Sequence, residues 1–318
     1  RRMRAATLAR CVPPDPRGLT LVELLVVMAI IGLMAVMLIP SIQGAREASR
    51  RMGCLNNIRQ LGLAAVIHHD ARGRFPAGSL FTADGTAWGL TVPLLPYLEE
   101  QALFESVVLH DGGACGQIRS LQAAAKPNPS ARWLSLLGCP SDPRAGKPLV
   151  SGPGGPLPTA GDCGVLYPGN YLGVAGDSEA VDPTLPINKC RSSTGIAAGT
   201  GIFYDDSRTQ LKDVTDGVSK TIALGERGIP EDLGWGWVIA GGAECDQYVG
   251  AARGIFRPVM PGTPFTYDET LLRWWSWHAA GPHFAMADGS VRSISADVDQ
   301  AVFLALATRA GGEVVTVP

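Results

Sequence analysis

From Leu19 to Ile39 the chain runs twenty-one residues with a single charge, Glu23. As an α-helix rising about 1.5 Å per residue, such a run is roughly 30 Å long, the thickness of a bilayer's hydrocarbon core. It exceeds the apolar stretch of an ordinary secretory signal, about 7–15 residues, and no small-residue cleavage site follows it. Gly18 precedes the run instead. A carboxylate at the fifth position of a membrane helix costs about 2.5–3.5 kcal/mol on insertion scales, so Glu23 requires a partner or a function. Arg1, Arg2, Arg4, Arg10 and Arg17 before the run favour a cytoplasmic N-terminus, although Arg46, Arg50, Arg51 and Arg59 beyond it weaken that asymmetry.

The order Gly18, an apolar residue, Thr20-Leu21-Val22-Glu23 and then an apolar helix resembles the class III signal of type IV pilins and type II secretion pseudopilins. The resemblance implies that a prepilin peptidase cuts between Gly18 and Leu19 on the cytoplasmic side and that Leu19 becomes N-methylated. It also implies that Glu23 pairs with the N-terminal amine of a neighbouring subunit, and that Pro40 falls where pilin helices often kink. Leu19 departs from the usual Phe. The implied location is the inner (cytoplasmic) membrane, spanned once, with the head outside and available to a periplasmic or surface filament. The chain opens on Arg1 rather than Met, with Met3 an alternative start, so the length of the leader is left open.

The segment through Gly18 holds five of the 27 basic and one of the 29 acidic side chains, leaving 22 and 28, a net charge of −6 with His neutral. That balance points away from a nucleic-acid partner. Without Cys11, six cysteines remain beyond the cut: Cys54, Cys115, Cys139, Cys163, Cys190 and Cys245. An even number in an oxidising compartment suggests disulfides, with fifteen pairings open, and the absence of C-x-x-C argues against a zinc ribbon or thioredoxin-like motif.

Beyond Pro40, apolar residues at Ile42, Ala45, Met52, Leu55, Ile58, Leu61 and Ala65 recur mostly at helical spacing, and Gly73 and Pro76 stop the pattern. One helix of about fifty residues is expected. His68, His69 and Asp70 are read as end-capping residues, the two His meeting final carbonyls and Asp70 beginning the turn. The expected organisation is a leader at 1–18, a transmembrane and assembly helix at 19–39, its exported amphipathic half at 40–72 and a head at 73–318. Strands are expected at 164–174, 201–204, 219–224, 235–240, 283–287 and 290–294. A short helical or irregular piece is expected at 91–107, a surface loop at 148–158 and a final helix at 298–308. The fold class is α+β and pilin-like, a mainly antiparallel β head with short helices packed on the exported half of the long helix.

Several head motifs resemble a large bacterial family of prepilin-like proteins whose C-terminal domain, of unknown function, carries His, nine residues and Asp-Gly. Here these are His278, Asp288 and Gly289, with further matches at Cys54-Leu-Asn-Asn, Leu94-Leu-Pro-Tyr, Cys139-Pro-Ser-Asp, Asn170-Tyr-Leu-Gly and Thr215-Asp-Gly-Val. Because Cys54 and Cys139 both sit in such motifs, the resemblance implies a bridge between helix and head. Asp288-Gly289 between two apolar runs reads as a hairpin turn, with His278 bonding a loop backbone. His278 and His283 are weaker candidates for a transition metal. Asp205 and Asp206, with Asp213 and Asp216, are weak candidates for the calcium that some pseudopilins hold in a loop.

No G-x-S-x-G, H-E-x-x-H, Walker A or dinucleotide signature is present, so no enzyme activity is expected. Two functions follow: a structural pilin or pseudopilin subunit of a type IV pilus or type II secretion system, or a membrane-tethered module binding a glycan or protein. In the second, Trp235, Trp237, Trp274, Trp275 and Trp277 supply the binding face; core packing is their other reading.

Overall fold

A computed structural model describes residues 20–81, 87–107, 132–151, 164–177, 199–229, 248–257 and 273–313. The chain divides into two compact units, 1–48 and 49–318. Helix α1, Leu21–Arg72, contains all of the described part of the first unit except Thr20. Its side chains from Leu21 to Ile39 are almost all exposed, and it alone among the described helices is long and apolar enough to cross a membrane. The helix passes through Pro40, whose missing N–H leaves the Val36 carbonyl without its usual donor. It ends at Gly73, whose φ of 73° places it in the left-handed region while its N–H donates to the His69 carbonyl at 2.7 Å.

The second unit is built on a five-stranded sheet in the order β7-β5-β6-β8-β9. The strands are β5 Tyr171–Val174, β6 Ile222–Glu226, β7 Tyr248–Val249, β8 His283–Met286 and β9 Val291–Ser293. All pairings are antiparallel except β5 with β7. Two small antiparallel pairs lie outside it: β1 Ser79–Phe81 with β2 Ala87–Gly89, and β3 Leu149–Ser151 with β4 Gly164–Leu166. Short helices are α2 Gln101–Ser106 and α3 Gln300–Ala307, with 3₁₀ turns at Val92–Leu98, Ser135–Leu137 and Leu211–Asp213. Asp299 caps α3, its carboxylate accepting the Ala301 N–H at 2.8 Å.

Both faces of the sheet are covered, which is why its central strands read as almost continuous apolar runs. On one face Tyr171, Ala223, Ala285 and Ala287 meet Cys54, Ile58, Leu61, Ala64 and Ala65 of α1. On the other, Leu172, Val174, Ile222, Phe284 and Met286 meet Trp274, Phe303 and Leu306. Small residues set the helix distance: a Cβ on Gly62 would stand 3.0 Å from the Ala285 Cβ. Across the sheet, Gly225 leaves room for an indole, since a Cβ there would fall 2.4 Å from Trp274 and 2.7 Å from Phe284.

The α+β class and the long apolar helix are as expected. The run at 164–174 is not one strand: β4 and β5 belong to different sheets. The segment 201–204 is a loop hydrogen-bonded to β5 and its extension, Phe203 N–H to Val174 O and Gly201 N–H to Ala175 O. β1, β2, β3 and β7 escaped the sequence pattern because two or three residues are too few for a period, and β3 replaces the start of the loop expected at 148–158. The strand expected at 235–240 lies outside the described residues. Asp70 remains inside α1 instead of beginning the turn. His68 Nδ1 reaches the Arg74 carbonyl at 3.1 Å, whereas His69 Nε2 accepts the Leu211 N–H at 3.2 Å and so fastens the helix end to the head.

Candidate functional site

The N-terminal end of α1 is organised by two side chains. Thr20 donates to Glu23 Oε2 from both its backbone N–H and its hydroxyl, each at 2.9 Å, while the Glu23 N–H donates to Thr20 Oγ1 at 3.3 Å. This reciprocal pair is a capping box, which satisfies donors that the first helical turn leaves open. Its signature, Thr-x-x-Glu, is legible in the sequence at Thr20-Leu-Val-Glu23. Gly18 and Leu19 lie outside the described residues.

In the head, the resemblance-bearing motifs converge on one buried polar cluster. Cys54 on α1 and Cys139, in the loop after the 3₁₀ turn at 135–137, form a disulfide with Cα atoms 5.0 Å apart across 85 residues of sequence. The loop lies close to the helix, where a Cβ on Gly53 would stand 3.2 Å from the Pro140 ring and Asn57 Nδ2 donates to the Gly138 carbonyl at 2.9 Å. Asn170, just before β5, organises the loop's backbone: its Oδ1 accepts the Cys139 N–H at 2.9 Å, and its Nδ2 donates to Asp142 Oδ2 at 2.6 Å and to the Arg227 carbonyl at 3.1 Å. Asp142 also accepts N–H bonds from Arg144 and Ile229. The neighbouring Tyr171 hydroxyl donates to the Cys54 carbonyl at 3.3 Å.

β6, β8, β9, the segment before β8 and Arg51 of α1 supply the rest. Glu226, the last residue of β6, accepts the His283 N–H on Oε2 at 3.1 Å, and its Oε1 stands 3.5 Å from His278 Nε2. His278 Nε2 also lies 3.4 Å from Cys139 Sγ, and the His278 and His283 rings face each other at a tilt of 33° with centroids 4.9 Å apart. His283 Nδ1 pairs with Ser293 Oγ at 2.8 Å, and Arg51 of α1 donates to the same hydroxyl at 3.3 Å. Burial is close to complete: Cys54, Cys139, Asp142, Asn170, Tyr171, Glu226, Arg227, His278 and His283 are each 5% exposed or less.

That burial sets the protonation states. Loss of solvent raises the Glu226 carboxyl to about 8, against the His283 N–H bond that favours its anion. The same loss lowers His283 to about 3, helped by positive charge at His278 and Arg51. Asp142 is raised by burial despite its N–H donors, and the Tyr171 phenol is raised well above its usual value by burial and by Glu226. The cluster ties α1, the loop at Cys139 and strands β5, β6, β8 and β9 together.

The expected hairpin is present, with β8 and β9 joined through Asp288-Gly289; Gly289 has a φ of 80° and Asp288 Oδ1 accepts the Ser290 N–H at 2.8 Å. It separates the motif's two ends: Gly289 approaches Leu63 of α1, whereas the His278 side chain lies against the disulfide and Glu226. Of the weak calcium candidates, Asp213 Oδ2 accepts the Gln210 N–H within its own turn, whereas Asp205 accepts the Ser79 hydroxyl and Asp216 the Gly311 and Gly312 N–H groups from segments distant in sequence. Asp206 occupies a left-handed turn position at φ 48°. Trp274 and Trp275 are core residues, at 0% and 1% exposure, which removes them from any binding face; Trp235 and Trp237 lie outside the described residues. So do Cys115, Cys163, Cys190 and Cys245. Sequence reasoning missed Glu226 and Arg227, although two charges ending the apolar run Thr221-Ile-Ala-Leu-Gly were a signal.

Two families match. One, described as a protein of unknown function (DUF1559), covers residues 43–301, and the other, described as a prokaryotic N-terminal methylation motif, covers residues 15–39. No curated protein and no solved structure matches the chain.

Proposed function

Since the chain belongs to the DUF1559 family of proteins of unknown function and carries a prokaryotic N-terminal methylation motif, we propose that it is an exported structural subunit of the pilin or pseudopilin kind. On this reading a prepilin peptidase removes the leader after Gly18, Leu19 is methylated, and α1 holds the protein in the inner membrane until it joins other pilin-like subunits. The observation that carries the proposal is a methylation motif over residues 15–39 that takes in the exposed apolar first half of α1. Such a surface is stable only against lipid or against other apolar helices. The head is then a display domain whose shape is fixed by its closed polar core. Catalysis acts on the chain at its leader and is not assigned to the head.

The four segments expected from sequence take roles in this scheme: 1–18 is removed, 19–39 anchors and assembles, 40–72 carries the helix outward and 73–318 is displayed. Isolation of sheared filaments or of a secretion pseudopilus from cells tests it. The wild-type chain is expected in the assembled fraction, with Glu23→Ala retained in the membrane. A chain that stays monomeric in the membrane, and works equally well as Glu23→Ala, would instead be the tethered binding module.

A further inference from the structure

Cys54, Cys139, Glu226 and His278 bring two sulfurs, a carboxylate oxygen and an imidazole nitrogen within 4.8 Å of one another, all from buried residues. Two soft sulfur donors with one imidazole and one carboxylate complete a tetrahedral set, and thiolate-containing sets of this kind suit zinc rather than calcium or magnesium. A disulfide by itself requires no polar neighbours. Here it has beside it a carboxyl group at 1% exposure, whose Oε2 accepts the His283 N–H and whose Oε1 lies 3.5 Å from His278 Nε2. Burying such groups is costly, and a cation bonded to both offsets that cost. We propose that this is a redox-gated zinc site: with both thiols reduced, Cys54, Cys139, His278 and Glu226 hold one Zn²⁺, and formation of the disulfide expels it.

The chemistry balances with a disulfide-class oxidant. Zn²⁺ displaces the two thiol protons to solvent and forms two Zn–S bonds, the sulfurs standing about 3.8 Å apart for bonds near 2.3 Å at a tetrahedral angle. An oxidant R–S–S–R then takes two electrons from the thiolates. The Cys54–Cys139 bond forms, the R–S–S–R bond breaks, two R–SH leave with two protons from solvent, and Zn²⁺ is released. The consequence is correct pairing: four other cysteines follow the apolar run, and a metal that holds Cys54 beside Cys139 keeps those two together until they bridge.

The test uses the full chain in detergent with Co²⁺ as the probe for zinc. After reduction with a phosphine, the protein is expected to bind about one equivalent, with the visible bands of tetrahedral cobalt and thiolate charge transfer, and Zn²⁺ should bleach them. The oxidised chain should show neither. Replacing Cys11, Cys115, Cys163, Cys190 and Cys245 together by Ser should keep the bands, whereas the near-isosteric Glu226→Gln should shift them with unchanged far-ultraviolet dichroism. Reduced wild-type protein that binds no Co²⁺ overturns the proposal without recourse to any variant. So does a spectrum that survives His278→Ala but disappears with the five-fold Ser replacement.

Discussion

Glu226 and His283 give the head a pH dependence of definite sign. With its carboxyl raised from 4.5 to about 8, folded Glu226 keeps a proton that the unfolded chain releases. Its contribution is complete below pH 4.5 and falls away as the pH climbs through 8. Burial raises Asp142 too, adding a slope of the same sign. His283, lowered from 6.5 to about 3, works the other way: its contribution is present above pH 6.5 and is lost as pH falls towards 3. The melting temperature should therefore be highest between about pH 4.5 and 6.5 and should drop towards pH 8. Glu226→Gln should flatten the alkaline limb in a thermal scan across pH; an undiminished fall in that variant would assign the slope to other groups. Little of this was legible beforehand. The residue types at Cys54, Cys139, His278 and His283 invited a chemical reading, but only the sheet brings β6 beside β8 and so supplies Glu226.

Among the elements, α1 was the most legible because its signals are local: a long apolar run, a helical period and a glycine stop. Its capping box gives Glu23 a local role beside the intersubunit one that the resemblance implies, since Thr20 and Glu23 bond within the first turn. Thr20→Ala should weaken that end by about 1 kcal/mol, seen as faster amide exchange in the first turn of α1 in detergent. The strands were less legible because their length is set by what covers them. Long-range packing also gives Gly225 a meaning that its sequence context hides. Gly225→Ala would push a Cβ into the Trp274 and Phe284 rings, so a loss of about 1–3 kcal/mol or more in urea unfolding is expected. An unchanged midpoint would mean that the indole has room to move aside.

For the whole molecule, one covalent tie joins the helix to the described head, and it closes a loop across 85 residues. Cys139→Ser should lower the stability of the oxidised head by about 3–5 kcal/mol and hasten proteolysis of the 135–145 loop. Equal stability of the variant and the oxidised wild type would make the closed polar core sufficient without the bridge. The division into a bare apolar helix and a closed head was legible because it is written in hydropathy. The sheet order was not, because β7-β5-β6-β8-β9 joins segments separated by long stretches without periodic pattern. On the proposed function the head is exported on a helix matured at its own N-terminus. Mass spectrometry of the N-terminal peptide from membrane-isolated protein decides this. The expected peptide begins at Leu19 and carries one added methyl group on its amine. A peptide that retains Gly18 and the residues before it would overturn the proposed maturation.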